Sequence, residues 1–223
     1  GHTVICRRIC NGSMVVDLRH SISWDVSYNT STHDLIKDFY TPVLSNSIRY
    51  DRASGYFSSS VLAAASLGYE NFCKNPGSKM RLIVGLQISP QDYDRILFNS
   101  DPDMAGSIIR EKIEHELNND EMPNFERSRL SGLTWMLVNG KLEVKFGIML
   151  NQITKEPMAW DLAKFHGKMA IFSDSFDSKS KEANTAVITG SINETLSGWT
   201  LNGEDFVPQV SWEPGRSRDS TID

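Results

Sequence analysis

Four apolar runs of strand length, separated by segments with helical periodicity, constrain the fold of this chain more than any other feature. The runs are KMRLIVGLQIS (79–89), KLEVKFGIML (141–150), KFHGKMAIFSD (164–174) and NTAVITGSIN (184–193). The first is almost continuously apolar, which is typical of a central strand covered on both faces. Strands that alternate with helices usually form one layered sheet. The sequence therefore predicts an α/β fold with a mixed central β-sheet flanked by helices.

The segments between these runs repeat apolar residues at spacings of three and four, which predicts amphipathic helices. These helices are expected through residues 33–44, 59–75, 101–119 and 125–140, and Asn139-Gly140 closes the last one. A further short strand is expected in SIRYDRAS, before a sharp bend at Ser54-Gly55. The last two runs, joined by a polar segment, are expected to form a hairpin-like pair.

Composition places the chain among ordinary globular domains. Of its 223 residues 39% are hydrophobic and 23% are charged, and the net charge is -5. That charge argues against binding nucleic acid through overall attraction, although a locally basic cleft remains compatible with it. No apolar run is long enough to span a membrane and no signal-peptide pattern is present, so we expect no membrane partner, and the cysteine usage fits a reducing cytoplasmic location best. The three cysteines, Cys6, Cys10 and Cys73, indicate no disulfide framework.

Two pairs of polar residues stand where apolar strands are predicted. His166 and Lys168 are two positions apart in one run, and Ser191 and Asn193 are two apart in the next. Residues at this spacing share one face of a strand. If the two strands pair, an imidazole, an ammonium, a hydroxyl and an amide meet at one end of the sheet, with Gly190 allowing close approach. A fixed positive charge and two donors suit a phosphate oxyanion.

The remaining groups complete a phosphoryl-transfer chemistry. Imidazole exchanges protons near neutral pH, so His166 is a candidate nucleophile or general acid and base. A carboxylate such as Glu204 could hold the other ring nitrogen of that imidazole. No acidic or histidine cluster with metal-ligand spacing stands nearby, so we expect no metal and no cofactor. A lone histidine in an apolar strand is more often structural; the whole set of groups favours a metal-free reaction through a phosphohistidine.

These residues resemble the HKD motif of the phospholipase D superfamily, which runs His-x-Lys, four residues, Asp, six residues, Gly-Ser-x-Asn. HGK at 166–168 and GSIN at 190–193 match its two ends. LNGED, with Asn202 and Glu204, resembles the Asn-x-Glu of the bacterial nuclease branch. DRASGYFSSSVLAAASLGYENF and MRLIVGLQIS resemble the opening of such domains, which are found joined to bacterial helicases and in restriction enzymes.

The sequence departs from the motif at two points. Asp174 lies one residue later than the motif requires, with Ser173 in the expected place, and the gap to Gly190 is longer. The resemblance covers about residues 31–212, which we expect to form a phospholipase D-like domain. Residues 1–13 are predicted to be a tail introduced by cloning, 14–30 an N-terminal extension and 213–223 a polar C-terminal tail.

The resemblance implies a phospholipase D-like layered fold and a metal-independent phosphodiesterase, an endonuclease that cleaves DNA. His166 would form the phosphohistidine, Glu204 would orient it, and Asp174 and Gly190 would be structural positions of the motif. Lys168, Ser191 and Asn193 would bind the phosphate oxygens.

The family uses two His-x-Lys sets and this chain has one, so the implied partner is a second copy in a homodimer with a composite active site. The chain would be the N-terminal domain of a bacterial helicase or of a restriction or defence protein. Arg49, Arg52, Lys164 and Lys168 are candidates to line a DNA groove.

Two other functions stay open. One is a non-catalytic nucleic-acid-binding or dimerisation module that serves a helicase. The other is a phospholipid-hydrolysing phospholipase D, which has less support because no amphipathic surface segment stands out.

Overall fold

The computed structural model describes residues 16–55, 65–85, 124–158, 165–177, 183–190, 192 and 203–213, with 9–10, 13–14 and scattered positions between 91 and 111. Its strands are β1 (Ile9–Cys10), β2 (Ser13–Met14), β3 (Tyr28–Asn29), β4 (Arg49–Ser54), β5 (Lys79–Val84), β6 (Leu142–Phe146), β7 (Met169–Ser173), β8 (Thr185–Thr189), β9 (Asp205–Phe206) and β10 (Gln209–Val210).

A mixed sheet in the order β10-β8-β7-β4-β5-β6 forms the centre of the described structure. β4, β5 and β6 run parallel to one another, whereas β7 is antiparallel to β4 and β8 is antiparallel to β7. The predicted mixed α/β class and the predicted hairpin-like pairing of the last two long strands are therefore confirmed. Two-residue pairs, β1 with β2 and β3 with β9, lie outside this sheet.

Helical segments lie where the periodicity predicts them. A π-helix, Leu35–Tyr40, continues into α1, Thr41–Ser45; α2 is Ser66–Lys74 and α3 is Asn124–Val138. The carboxylate of Asp34 caps the π-helix by accepting from the backbone N–H of Lys37 at 3.1 Å. The helix predicted over 101–119 lies largely outside the described residues.

Aromatic side chains hold the π-helix and α2 on one face of the sheet. Tyr50 of β4 stacks on Phe172 of β7 with ring centroids 4.6 Å apart. The buried hydroxyl of Tyr40 lies 2.7 Å from that of Tyr69 and donates to that of Tyr50 at 3.2 Å. These hydrogen bonds join the helical layer to β4 without leaving a buried hydroxyl unsatisfied.

Part of the segment predicted to be an N-terminal extension belongs to the same core. Leu18 and Tyr28 are 0% and 1% exposed, and the ring of Tyr28 stacks on that of Phe206, with centroids 5.5 Å apart. The domain division at residue 31 stays a prediction; in the structure, side chains on both sides of it are buried together.

The prediction that the run beginning at Lys79 is covered on both faces is wrong for its described part, β5. Met80, Leu82 and Val84 are buried, whereas Arg81 and Ile83 between them are exposed. The outer face of the sheet carries charged residues there, and the exposed Ile83 made the run seem continuously apolar. Within the described part of the chain, no helix is long and apolar enough to cross a membrane.

Asp51 joins two arginines on this outer face. Its carboxylate lies 2.6 Å from Nη2 of Arg49 and accepts from Nε of Arg81 at 2.6 Å. Burial raises the pKa of the Asp51 carboxyl, but the hydrogen bonds from Arg81 and Arg49 outweigh burial and leave the pKa below its ordinary 3.8. The charged form is therefore the one that the fold favours.

Replacing Asp51 with Asn is expected to lower the free energy of unfolding at pH 7 by about 1–2 kcal/mol, because two guanidinium groups lose their shared carboxylate. Since the folded pKa lies below the unfolded one, the carboxylate stabilises the fold above the unfolded pKa, and this contribution is lost as pH falls through the folded pKa. Urea unfolding at pH 7, 5 and 3 should thus show the difference between wild type and variant shrinking at the lowest pH. The control is Glu156→Gln in an exposed loop, and a gap that stays constant down to pH 3 would contradict the assignment.

Candidate functional site

The carboxyl ends of three parallel strands and the amino end of β7 meet at one edge of the sheet. β4 ends at Ser54, whose carbonyl accepts from the N–H of Gly85 at 2.9 Å, and Val84 of β5 accepts from Gly147 at 2.8 Å. Residues 165–168 arrive at this edge before β7 begins. Ligand sites in such sheets form outside the carboxyl ends of the strands. This edge is therefore the candidate site.

Phe165 fixes the approach of the chain to this edge. A Cβ atom at Gly85 would collide with the backbone carbonyl of Phe165, and a Cβ at Gly147 would lie 2.5 Å from Cγ of the Phe165 ring. Only glycine at these two positions lets Phe165 pack against the ends of β5 and β6. The residue that follows Phe165 is His166, so this packing sets where the imidazole begins.

His166 and Lys168 lie just before the strand in which they were predicted. β7 begins at Met169, and residues 165–168 have no regular secondary structure. His166 is exposed and Lys168 is half-buried, and Nζ of Lys168 donates to the backbone carbonyl of His166 at 3.3 Å. The two residues are close neighbours at the sheet edge, but the argument that they share a strand face does not apply to them.

The pairing of β7 with β8 brings Lys168 next to Gly190. Met169 is opposite Thr189, and one residue further out the N–H of Gly190 donates to the carbonyl of Lys168 at 3.3 Å. The sequence predicted that these two segments would meet at one end of the sheet, and for Lys168 and Gly190 they do. Ser191 and Asn193, the predicted phosphate-binding residues of this segment, lie outside the described residues.

Glu204 lies in the chain segment that borders Gly190. It is 7% exposed, its backbone N–H donates to Oγ1 of Thr30 at 3.2 Å, and its carbonyl accepts from the N–H of Thr30 at 3.1 Å. A Cβ atom at Gly190 would lie 3.8 Å from the carbonyl oxygen of Asp205, an ordinary contact. The protein itself therefore does not require glycine at 190, and the backbone there has room beside it.

A small cavity of about 10 Å³ joins these segments below the edge. Arg52, Lys168, Gly190, Ile192 and Phe206 are among its lining residues. Arg52 is 3% exposed, and its guanidinium donates to the carbonyl of Ile192. The space is about that of a single water molecule.

The two arginines expected to line a DNA groove therefore lie in different parts of the sheet. Arg52 lies beneath the site instead of along a surface. Arg49, opposite Ser173 at the far end of β4 and β7, pairs with Asp51.

Asp174 occupies the opposite end of β7 from Lys168, roughly 20 Å away at about 3.3 Å per residue. Its carboxylate accepts from the backbone and side-chain nitrogens of Asn184, both at 2.8 Å, and from the N–H of Leu18 at 3.1 Å. Ser173, which stands at the motif's Asp position, is buried and accepts from Oγ1 of Thr185 at 3.2 Å. These contacts join β7 to β8 and to the N-terminal segment.

The described groups at the edge are an exposed imidazole, a half-buried ammonium, a buried carboxyl residue and a buried guanidinium. They combine a side chain that can attack or transfer a proton with fixed positive charge that can neutralise an anion. Among the described residues, no group of three or more His, Cys, Asp or Glu side chains could hold a metal ion.

Comparison with known proteins adds a distant structural likeness. No family model matches the chain, and no curated protein matches it. Among solved structures it is similar to NucT from Helicobacter pylori, with a TM-score of 0.42 and 12% sequence identity over 88% of this chain and 86% of that one. A likeness this distant establishes neither the family nor the activity of this chain.

Sequence reasoning missed the glycine contacts around Phe165 and the burial of Arg52. A glycine directly follows each of the parallel strands, at Gly55, Gly85 and Gly147. That repetition was a readable sign that backbone or a side chain comes close to those strand ends.

Replacing Gly147 with Ala is expected to displace the ring of Phe165 and to lower the free energy of unfolding by about 1–3 kcal/mol, as overpacking usually does. Urea unfolding measures the loss, and the NMR signals of residues 165–168 report the displacement. Gly132→Ala is the matched control, because nothing lies within 4 Å of a Cβ there in the exposed part of α3. That control should be neutral or more stable by up to about 1 kcal/mol. Equal stability of the two variants would contradict the packing described for Phe165.

Proposed function

We propose that this chain is a metal-independent phosphodiesterase that cleaves DNA through a phosphohistidine on His166. The observation that carries the proposal is the contact of Lys168, in the His-x-Lys segment, with Gly190, the first residue of Gly-Ser-x-Asn, at one sheet edge. The exposure of His166 supports it, because a nucleophile must reach a phosphate in solution. The resemblance of these residues to the phospholipase D motif supplies the reaction class.

The first step forms a covalent intermediate. A ring nitrogen of His166 attacks phosphorus with its lone pair, the nitrogen–phosphorus bond forms and the bond to the leaving sugar oxygen breaks. Lys168, with Ser191 and Asn193, would bind the non-bridging oxygens, whose charge grows in the transition state. Glu204 would hold the other ring nitrogen and stabilise the positive charge that the imidazole acquires.

The second step releases the product. Water attacks the phosphorus, the nitrogen–phosphorus bond breaks, and its electron pair returns to the imidazole of His166. The leaving sugar oxygen of the first step needs a proton, and this chain has no second His-x-Lys sequence. We propose that His166 of a second copy gives that proton and later takes one from the attacking water.

This division of roles requires a dimer whose two-fold axis passes through the site. The placement of His166 at an exposed edge of the sheet supports such an arrangement, because a second copy could reach it there without any change in the core. A helicase joined to this chain, or a role in restriction, belongs to the same proposal and rests on the resemblance alone.

Replacing His166 with Ala is expected to abolish cleavage of single- and double-stranded DNA, with a loss of more than about a thousandfold in kcat. The assay contains excess EDTA, and cleavage of labelled oligonucleotides is followed on gels. His20→Ala is the matched control, since this exposed imidazole contacts Asp17 away from the edge. Cleavage that survives in the His166 variant, or a wild type that hydrolyses choline phospholipid and leaves DNA intact, would overturn the proposal.

A mixed dimer tests whether the two copies share one site. Wild type and His166→Ala chains carry different affinity tags, are produced together, and are purified through both tags. The mixed dimer should have less than about 5% of the activity of a doubly tagged wild-type dimer, because each reaction needs both imidazoles. Half of the wild-type activity in the mixed dimer, or recovery of monomers alone, would rule out the composite site.

A further inference from the structure

Arg52 is a charged residue in a place that stability alone does not explain. It lies on the core face of the central strand β4, between the buried Tyr50 and Ser54, and only 3% of it is exposed. Burying a guanidinium costs free energy, and an apolar residue of similar length at such a position is often as stabilising or more so. Fully buried arginines are rare unless their donors are used. The use made of Arg52 is therefore a guide to function.

The neighbours of Arg52 direct its side chain towards the candidate site. In the sheet it is opposite Ala170 on β7, which in turn is opposite Ile188 on β8. The small side chain of Ala170 leaves space over β7, and the guanidinium reaches past this strand to the carbonyl of Ile192. Arg52 also lines the small cavity beside Lys168 and Gly190.

The contact with Ile192 falls in the middle of the Gly-Ser-Ile-Asn segment. Ile192 is itself 3% exposed, and its neighbours in sequence are Ser191 and Asn193. A residue whose carbonyl is held by a rigid, planar donor and whose side chain is buried has little freedom. The backbone at Ile192 is therefore tied to β4 through Arg52.

We propose that Arg52 is a positioning residue: through the carbonyl of Ile192 it fixes the backbone at that residue, beside Gly190 and Lys168, at the edge where the phosphate of the substrate would bind. This inference rests on the proposed function and adds to it a residue outside the recognised motif.

Three variants separate positioning from simple stability. Arg52→Met keeps the length of the side chain and removes its donors. Arg52→Lys keeps the charge and one donor group, but not the planar fork. Arg81→Met is the matched control, since this arginine lies on the neighbouring strand, on the outer face of the sheet, and is paired with Asp51. Each variant is measured for kcat and KM on a labelled oligonucleotide in EDTA, and for hydrogen exchange of peptides that cover residues 186–194.

In Arg52→Met, exchange in the 186–194 peptides is expected to rise by about tenfold or more, with β5 unchanged, because local opening no longer breaks the bond to Ile192. kcat is expected to fall by about 10- to 100-fold with KM changed less than threefold, since donors aimed at developing charge act mainly in the transition state. Arg52→Lys should fall between Arg52→Met and wild type, and Arg81→Met should match wild type in both measurements.

The exchange and kinetic results distinguish a failure of this inference from a failure of the proposed function. If the wild type cleaves no phosphodiester, the proposed function is wrong, and exchange alone decides whether Arg52 holds the segment. If the wild type is active, unchanged exchange or a kcat within twofold of wild type in Arg52→Met overturns the inference. Should Arg52→Met fail to fold, Arg52→Lys is judged by the same criteria, with a threefold change in each quantity as the threshold.

Discussion

The antiparallel ladder between β7 and β4 is the constraint on which the candidate site depends. β4, β5 and β6 all end at one edge, and a strand antiparallel to them must begin there. The residues just before β7, His166 and Lys168, are therefore delivered to the carboxyl ends of the parallel strands. The second antiparallel pairing, with β8, returns the chain to the same edge at Gly190. Two segments separated by more than twenty residues thus meet because of strand direction alone.

Strand direction and pairing could be predicted from the sequence because they follow from the order and spacing of apolar runs. The alternation of strands and helices predicted the mixed sheet, and the polar linker before Asn184 predicted the hairpin-like pair. The open outer face of β5 could not be predicted, because an exposed isoleucine such as Ile83 looks the same in sequence as a buried one. Whether a face is open depends on which element lies over it, and that is a property of the whole chain.

The candidate site was predictable to the extent that its residues stand close together in sequence. His166, Lys168 and Gly190 were recognised from two short patterns, and the structure brings the last two into contact. Arg52 was predicted to be one of the residues lining a DNA groove, because nothing in SIRYDRAS tells which arginine faces the core. Its true place follows from period-two alternation once Tyr50 is known to be buried. Phe165 was missed since its partners, Gly85 and Gly147, are distant in sequence.

In the candidate site, the exposed reactive group and the buried groups that support it are different residues. His166 is exposed at the edge, whereas Arg52 and Glu204 are 3% and 7% exposed. In the proposed reaction His166 has to reach a substrate and a second copy, so it has to stay at the surface, where packing restrains it little. Its orientation must then come from buried neighbours whose own positions the core fixes. The half-buried Phe165, packed against the ends of β5 and β6, restrains the chain before His166, and the buried Arg52 donates to the carbonyl of Ile192. Residues outside the motif, Phe165 and Arg52, therefore help to position the candidate site. A chain that matched the motif but lacked them would have the reactive groups without the contacts that restrain them.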